Sequence, residues 1–121
     1  MPEYIDSDSP YATVTANMGA TTTVLTHEIK NGKRAFLLSF RNAVGAGGES
    51  YISFSLLLNG NPLENYDRIM NQIAAPENQQ GQLLVRRELP QGAQLTVIAT
   101  NSDAANDYNA TAKLEIGYES F

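Results

Sequence analysis

Apolar and polar residues alternate along this chain in short runs, and Gly, Pro and Asn cut the runs apart. The clearest case lies at 51–63. Ile52, Phe54, Leu56 and Leu58 alternate there with Ser53, Ser55 and Leu57. A β-strand sends successive side chains to opposite faces, so four large apolar groups share one side. A nearly uncharged set (Tyr51, Ser53, Ser55, Leu57) shares the other, and needs either a second layer or a second subunit to cover it. Asn59-Gly60 then supplies residues that tolerate positive φ, and Pro62 stops simple continuation of the ladder.

The same reading predicts strands elsewhere. Residues 11–18 place Ala12, Val14, Ala16 and Met18 on one face, and 21–29 form a β-branched run whose apolar positions, Val24, Leu25 and Ile29, do not keep a clean alternation. Lys30-Asn31-Gly32-Lys33 carries the Asn-Gly signal of a hairpin. Residues 34–42 alternate Phe36, Leu38 and Phe40 against Leu37, Ser39 and Arg41. Residues 82–89, 93–100 and 110–119 complete the set. The last of these has the cleanest pattern, with Ala112, Leu114, Ile116 and Tyr118 facing one way. Residues 68–73, RIMNQI, fit a strand or one helical turn equally well.

These runs predict an all-β antiparallel β-sandwich of about eight strands. Connections such as 64–82 are too long for hairpins and favour Greek-key crossings. Residues 1–10 read as an acidic, extended arm with Tyr4 and Ile5 as anchors, and 11–121 as a single domain.

Composition narrows the chemistry. The chain has 121 residues and no cysteine, which excludes disulfides, thiolate metal sites and a cysteine nucleophile. Its net charge is −5, with 4 basic and 5 acidic groups in residues 1–60 and 4 and 8 in 61–121. An acidic chain without a basic cluster offers no surface for nucleic acid or an anionic membrane. The opening residues hold no Lys, Arg or apolar run, so no signal peptide is read there, and no segment has the roughly 20 apolar residues of a membrane helix. The expectation is a chain folded in a cytoplasm.

No motif points to catalysis, and the chain reads as a non-enzyme without a cofactor. The glycine loop 43–50, AVGAGGES, lacks the Lys-Ser/Thr and following helix of a phosphate loop. His27 is the only histidine; a general base needs a partner and a metal site several ligands. Asp103 and Asp107, with Asn101 and Asn106, have oxygen atoms suited to calcium, but the spacing is not that of an EF-hand, and such residues also satisfy their own backbone in turns. Tyr51, Tyr66, Tyr108 and Tyr118 with nearby Asn and Asp would suit sugar stacking, although the chain has no tryptophan.

Three phrases, SFSLLLNGNPL (53–63), ELPQGAQLTVIATNSD (88–103) and ATAKLEIGYE (110–119), together resemble small jelly-roll decoration or cement proteins of tailed-phage virions. The resemblance covers about half the chain, and similar phrases occur in carbohydrate-binding modules. It implies a jelly-roll protein on the outer capsid surface that stabilises contacts between major capsid subunits, often as a dimer or trimer. The contact candidates are then Tyr4, Ile5, Val44, Tyr51, Leu57 and Tyr66, with the loops 43–50 and 64–80. A non-catalytic carbohydrate-binding sandwich is the alternative.

Overall fold

The alternating runs fold into two antiparallel sheets packed face to face. The computed structural model describes residues 6–48, 50–63, 69–70 and 82–120. Among them there is no helix. Ten strand segments follow in chain order: β1 (Asp6–Asp8), β2 (Tyr11–Ala16), β3 (Thr21–Glu28), β4 (Arg34–Val44), β5 (Ile52–Leu58), β6 (Asn61–Pro62), β7 (Ile69–Met70), β8 (Gln82–Leu89), β9 (Gln94–Asn101) and β10 (Tyr108–Glu119). Of the ambiguous run 68–73, Ile69–Met70 is strand, and the rest lies outside the described residues.

In the first sheet β1 and β2 both lie on one edge of β10, followed by β4 and β8. In the second the order is β3, β9, β5, with β6 and β7 both along the free edge of β5. β1 and β2 are one strand interrupted at Pro10. Asp8 lies opposite Ile116 and Tyr11 opposite Lys113, so the register passes through the break unchanged. Proline has no N–H to give the ladder, but its carbonyl still accepts from Leu114 N at 3.0 Å. Counting β1 with β2 as one strand, and β6 with β7 as one because both line the same edge of β5, gives strand orders 1-8-3-6 and 2-7-4-5. That is the jelly-roll arrangement of two Greek keys.

Two turn signals behave differently from their sequence reading. Lys30-Asn31-Gly32-Lys33 does not close a hairpin, because β3 pairs with β9 in one sheet and β4 with β10 and β8 in the other. The turn carries the chain across the gap between sheets. The hairpin is instead at Asn59-Gly60, where φ is 51° and 85° and Leu58 faces Asn61. Positive φ at both central residues is what a type I′ hairpin requires.

A register shift also changes the facing of β4. Ser39 pairs with Glu115 but Leu37 pairs with Ile116, so Leu38 is an extra, bulged residue. The extra residue inverts the parity of everything before it. Ala35, Leu37 and Phe40 enter the core, whereas Phe36, predicted to share a face with Phe40, turns to the outer side. There it lies beneath the Arg34 guanidinium, 5.2 Å from its ring centre, and stays buried. A second shift at Thr23/Leu25 in β3 lets both Val24 and Leu25 be buried, which accounts for that strand's unclean alternation.

In β5, β9 and β10 the predicted faces hold, whereas Met18, predicted to share a face with Ala12, Val14 and Ala16, lies beyond the end of β2 and is exposed. Ile52, Phe54 and Leu56 of β5, Leu95, Val97 and Ala99 of β9, and Ala112, Leu114, Ile116 and Tyr118 of β10 are all fully buried in one core. Phe40 and Phe54 meet edge to face across the sheets, with ring centres 6.3 Å apart. Phe54→Ala is therefore expected to cost about 3–5 kcal/mol in urea unfolding with an unchanged slope, because it empties the contact between the sheets. Thr23→Ala, on the outer face, is expected to stay within about 0.5 kcal/mol of the parent.

Candidate functional site

A sandwich of two sheets is open at both ends, where no strand covers the core. β10 spans the molecule and places an inward-facing tyrosine at each end. Each phenol donates to a carboxylate from another segment: Tyr108 to Asp103 at 2.6 Å and Tyr118 to Asp8 at 2.7 Å. The two ends are the candidate sites.

The Tyr108 end is built by residues 17–20, 43–48, 50–51 and 101–109. Asp103 is its hub. Its carboxylate accepts from Tyr108, from Ala105 N at 2.8 Å and from Asn106 Nδ2 at 3.2 Å. The bond from Tyr108, followed by those from Ala105 and Asn106, holds Asp103 below the ordinary carboxylate range. The same bond, with burial second, pushes Tyr108 up to about 12. Asn101 ties the neighbouring backbone, donating to Ala16 O at 3.1 Å and Asn106 O at 2.9 Å, and accepting from Asp103 N. Asp107 caps the Met18 amide at 2.8 Å. Asp103 is thus surrounded by hydrogen-bond donors, which is the Asx-turn arrangement rather than a cradle for a cation. Among the described residues no group of three or more His, Cys, Asp or Glu is placed to hold a metal.

Tyr51 stacks on Tyr108 with ring centres 5.9 Å apart and planes 7° apart. Gly48 lies against the same ring: a Cβ there would sit 2.8 Å from Tyr108 Cγ. Only a residue without a side chain fits, which gives the glycine loop a packing role. Beside the ring is a pocket of about 320 Å³ lined by Thr15, Gly45, Ala46, Asp107, Tyr108 and Asn109. Met18 and Tyr51 are exposed at this end, at 52% and 41%.

The Tyr118 end holds β1 in place. Asp6 and Asp8 sit opposite Tyr118 and Ile116, so both carboxylates share the inward face. Asp8 Oδ2 is 3.0 Å from His27 Nε2 as well as accepting from Tyr118. Lys30 Nζ reaches Asp6 at 2.8 Å and Asp8 at 3.4 Å, and Lys33 reaches Asp6 at 3.4 Å. Lys30 also lies over the Tyr118 ring, and its backbone N–H donates to the Tyr118 hydroxyl at 3.2 Å. The Lys30 bond and the Ser7 N–H hold Asp6 down to about 2. At Asp8 burial pushes the pKa up, but the bonds from Tyr118, His27 and Lys30 outweigh it and leave the group below its usual value.

The residues singled out from sequence separate accordingly. Tyr51, Asp103, Asp107 and the end of the strand bearing Val44 converge at the Tyr108 end. Val44 is half-buried and packs on the core. Leu57 is half-buried on the outer face of the second sheet, opposite Thr96 and Pro62, near the far end of β5 from the Tyr108 end. Tyr4, Ile5 and Tyr66 lie outside the described residues. Tyr118 cannot join a sugar platform, because it is wholly buried. Sequence reading missed the Asp8–His27–Lys30–Tyr118 group. Its one legible signal was the two-residue spacing of Asp6 and Asp8, which puts both acids on one face of a strand.

Fold and sites together define a jelly-roll protein with two polar-capped ends. Compared with known protein families, the chain matches no family model, and no curated protein matches it.

The chain has no tryptophan, so its near-ultraviolet circular dichroism reports tyrosine. Gly48→Ala is expected to displace the Tyr108 ring and collapse that signal while leaving the far-ultraviolet spectrum intact. In an alkaline absorbance titration Tyr108 is expected to ionise near 12, a step that Tyr108→Phe removes. Because the folded pKa is raised, the stability this pair contributes is complete below about pH 10 and is lost as pH rises through about 12. At the other end the sign reverses. The contribution of Asp6 is complete above about pH 4 and is lost as pH falls through about 2, so protection factors of the Ser7 and Tyr118 amides should drop in that window, and Asp6→Asn should flatten the drop.

Proposed function

We propose that this chain is a non-catalytic structural protein of a virion, which binds the outer surface of a capsid and stabilises contacts between major capsid subunits. The observation that carries the reading is the Tyr108 end, where exposed Met18 and Tyr51 stand on a framework fixed by Asp103, Asn101 and the tyrosine stack. Methionine and tyrosine are favoured at protein interfaces. Presenting them on pinned loops lowers the ordering cost of binding. The jelly-roll topology agrees with the resemblance in the phrases at 53–63, 88–103 and 110–119. Its partner on this reading is the major capsid protein, and it self-associates as a dimer or trimer, with Leu57 and Ile98 on an outer face where Ser53, Ser55, Thr96 and Thr100 are their neighbours.

Carbohydrate binding is the second reading, favoured by the Tyr51–Tyr108 stack beside a pocket lined by Thr15, Asp107 and Asn109. It is the weaker one, since the Tyr108 ring is already packed against Tyr51 and Gly48.

The capsid reading expects the protein at fixed stoichiometry in purified particles, and a lower disruption temperature for shells stripped of it. Met18→Asp with Tyr51→Ala should weaken rebinding to stripped shells by about 2 kcal/mol or more, a hot-spot-sized loss. Absence from particles, together with a glycan-array signal that Tyr51→Ala abolishes, would establish the second reading instead.

A further inference from the structure

We propose that the Tyr118 end is a socket for an acidic extended segment, and that in an assembly the Asp6–Asp8 segment of one copy fills the socket of its neighbour. The idea deepens the self-association proposed above and rests on that reading for its setting, but it can be tested without a capsid.

Two kinds of contact make the socket. The main chain of residues 116–118 offers a sheet edge, and β1 adds to it as a three-residue antiparallel strand. This is strand addition, in which the ladder gives affinity and alternate side chains give specificity. The side chains read a particular sequence. Carboxylates two residues apart project to one face. There they meet Lys30 and Lys33 of the turn after β3, His27 of β3 and the hydroxyl of Tyr118. The chemistry fits Asp-X-Asp in an extended conformation.

Three features favour exchange between copies over simple release. First, Asp6-Ser7-Asp8 has no apolar side chain, so its attachment is hydrogen bonds and partly exposed ion pairs, which open locally more readily than core packing. Second, an emptied socket leaves an open sheet edge and a cluster of cations without counter-charge, and an open edge recruits another strand. An identical segment from a second copy restores every contact. Third, the point of departure is Ser9-Pro10, where the ladder lacks one donor, so only this link takes a new path.

The test uses complementary charge reversals in the full chain. One variant carries Asp6→Lys, the other Lys30→Glu with Lys33→Glu. Alone, each sets like charges against each other in its own socket. Mixed in equal amounts, the unaltered acidic segment of the second meets the unaltered lysines of the first, and the reversed charges meet in the other socket. The expected result is a mixed dimer of twice the 13.2 kDa chain mass by native mass spectrometry, about tenfold more abundant than the dimer of either variant alone. Monomers only, or equal dimer in all three samples, would overturn the proposal.

A second measurement covers misfolding of these variants. Ser7 and Gly117 are partners across the ladder, and the parent has no cysteine. A chain with both Ser7→Cys and Gly117→Cys should crosslink within itself under dilute oxidation, which shows the positions are tolerated. Mixing chains that carry one substitution each should give the mixed disulfide dimer selectively over either symmetric dimer. Failure of the mixed product, with the internal crosslink formed, refutes exchange. Failure of capsid binding alone leaves both readouts standing.

Discussion

Closing the ends of a two-sheet core is the constraint on which the rest of this structure depends. Side chains along the middle of each strand are covered by the opposite sheet, but the last inward residue at either end borders water. An aliphatic group there would stay half wet, and a charged one would have to be desolvated without a partner. Tyrosine resolves the conflict, with an apolar body for the core and a hydroxyl for the rim. β10 is long enough to put Tyr108 at one end and Tyr118 at the other, and both hydroxyls find a carboxylate. Once Asp103 and Asp8 are committed in this way, the loops that carry them are fixed too. The order of the 101–109 loop and the seating of β1 both follow from this.

Much of the fold was legible because it is written in local alternation. Four adjacent inward groups in β10 and three in β5 leave only one facing for a strand with one buried side. The failures came from places where local pattern and pairing disagree. Leu38 is a good strand residue, and nothing in 34–42 marks it as the extra one. Only the partner strand shows that two residues oppose one, and so Phe36 belongs outside. Asn31-Gly32 and Asn59-Gly60 are the same dipeptide with the same taste for positive φ. What separates a hairpin from a crossover is whether the flanking strands share a sheet, and that is set by contacts far away in sequence. The sites were less legible still. Asp103 and Asp107 were visible as turn formers, but their partners Tyr108 and Met18 were not, and Asp8 meets His27 and Tyr118 only through the tertiary fold.

Jelly rolls serve unrelated tasks, so the fold alone does not assign this one. What bears on function is the difference between the two ends. One is held by hydrogen bonds gathered on the Asp103 carboxylate and by an aromatic stack, and shows exposed Met18 and Tyr51. The other is held by charge, with Lys30 at its centre. The first is suited to a rigid, partly apolar contact, and the second to a contact that salt and charge can regulate.

The pairing of Asp6 with Tyr118 also has a consequence for how the chain is made. The outer strand of the first sheet, which is the earliest described segment, lies against the last strand, 112 residues further on. Synthesis runs from one to the other, so β2 has no neighbour in its own sheet until β10 has emerged. The chain must wait with β2 and β4 made but their common partner missing. Sheets assembled from such distant pieces fold slowly, on the scale of roughly milliseconds to seconds. During that interval their unpaired edges are open to association with other chains. A soluble run such as Asp-Ser-Asp at the outermost position keeps that waiting edge hydrated and charged until β10 arrives.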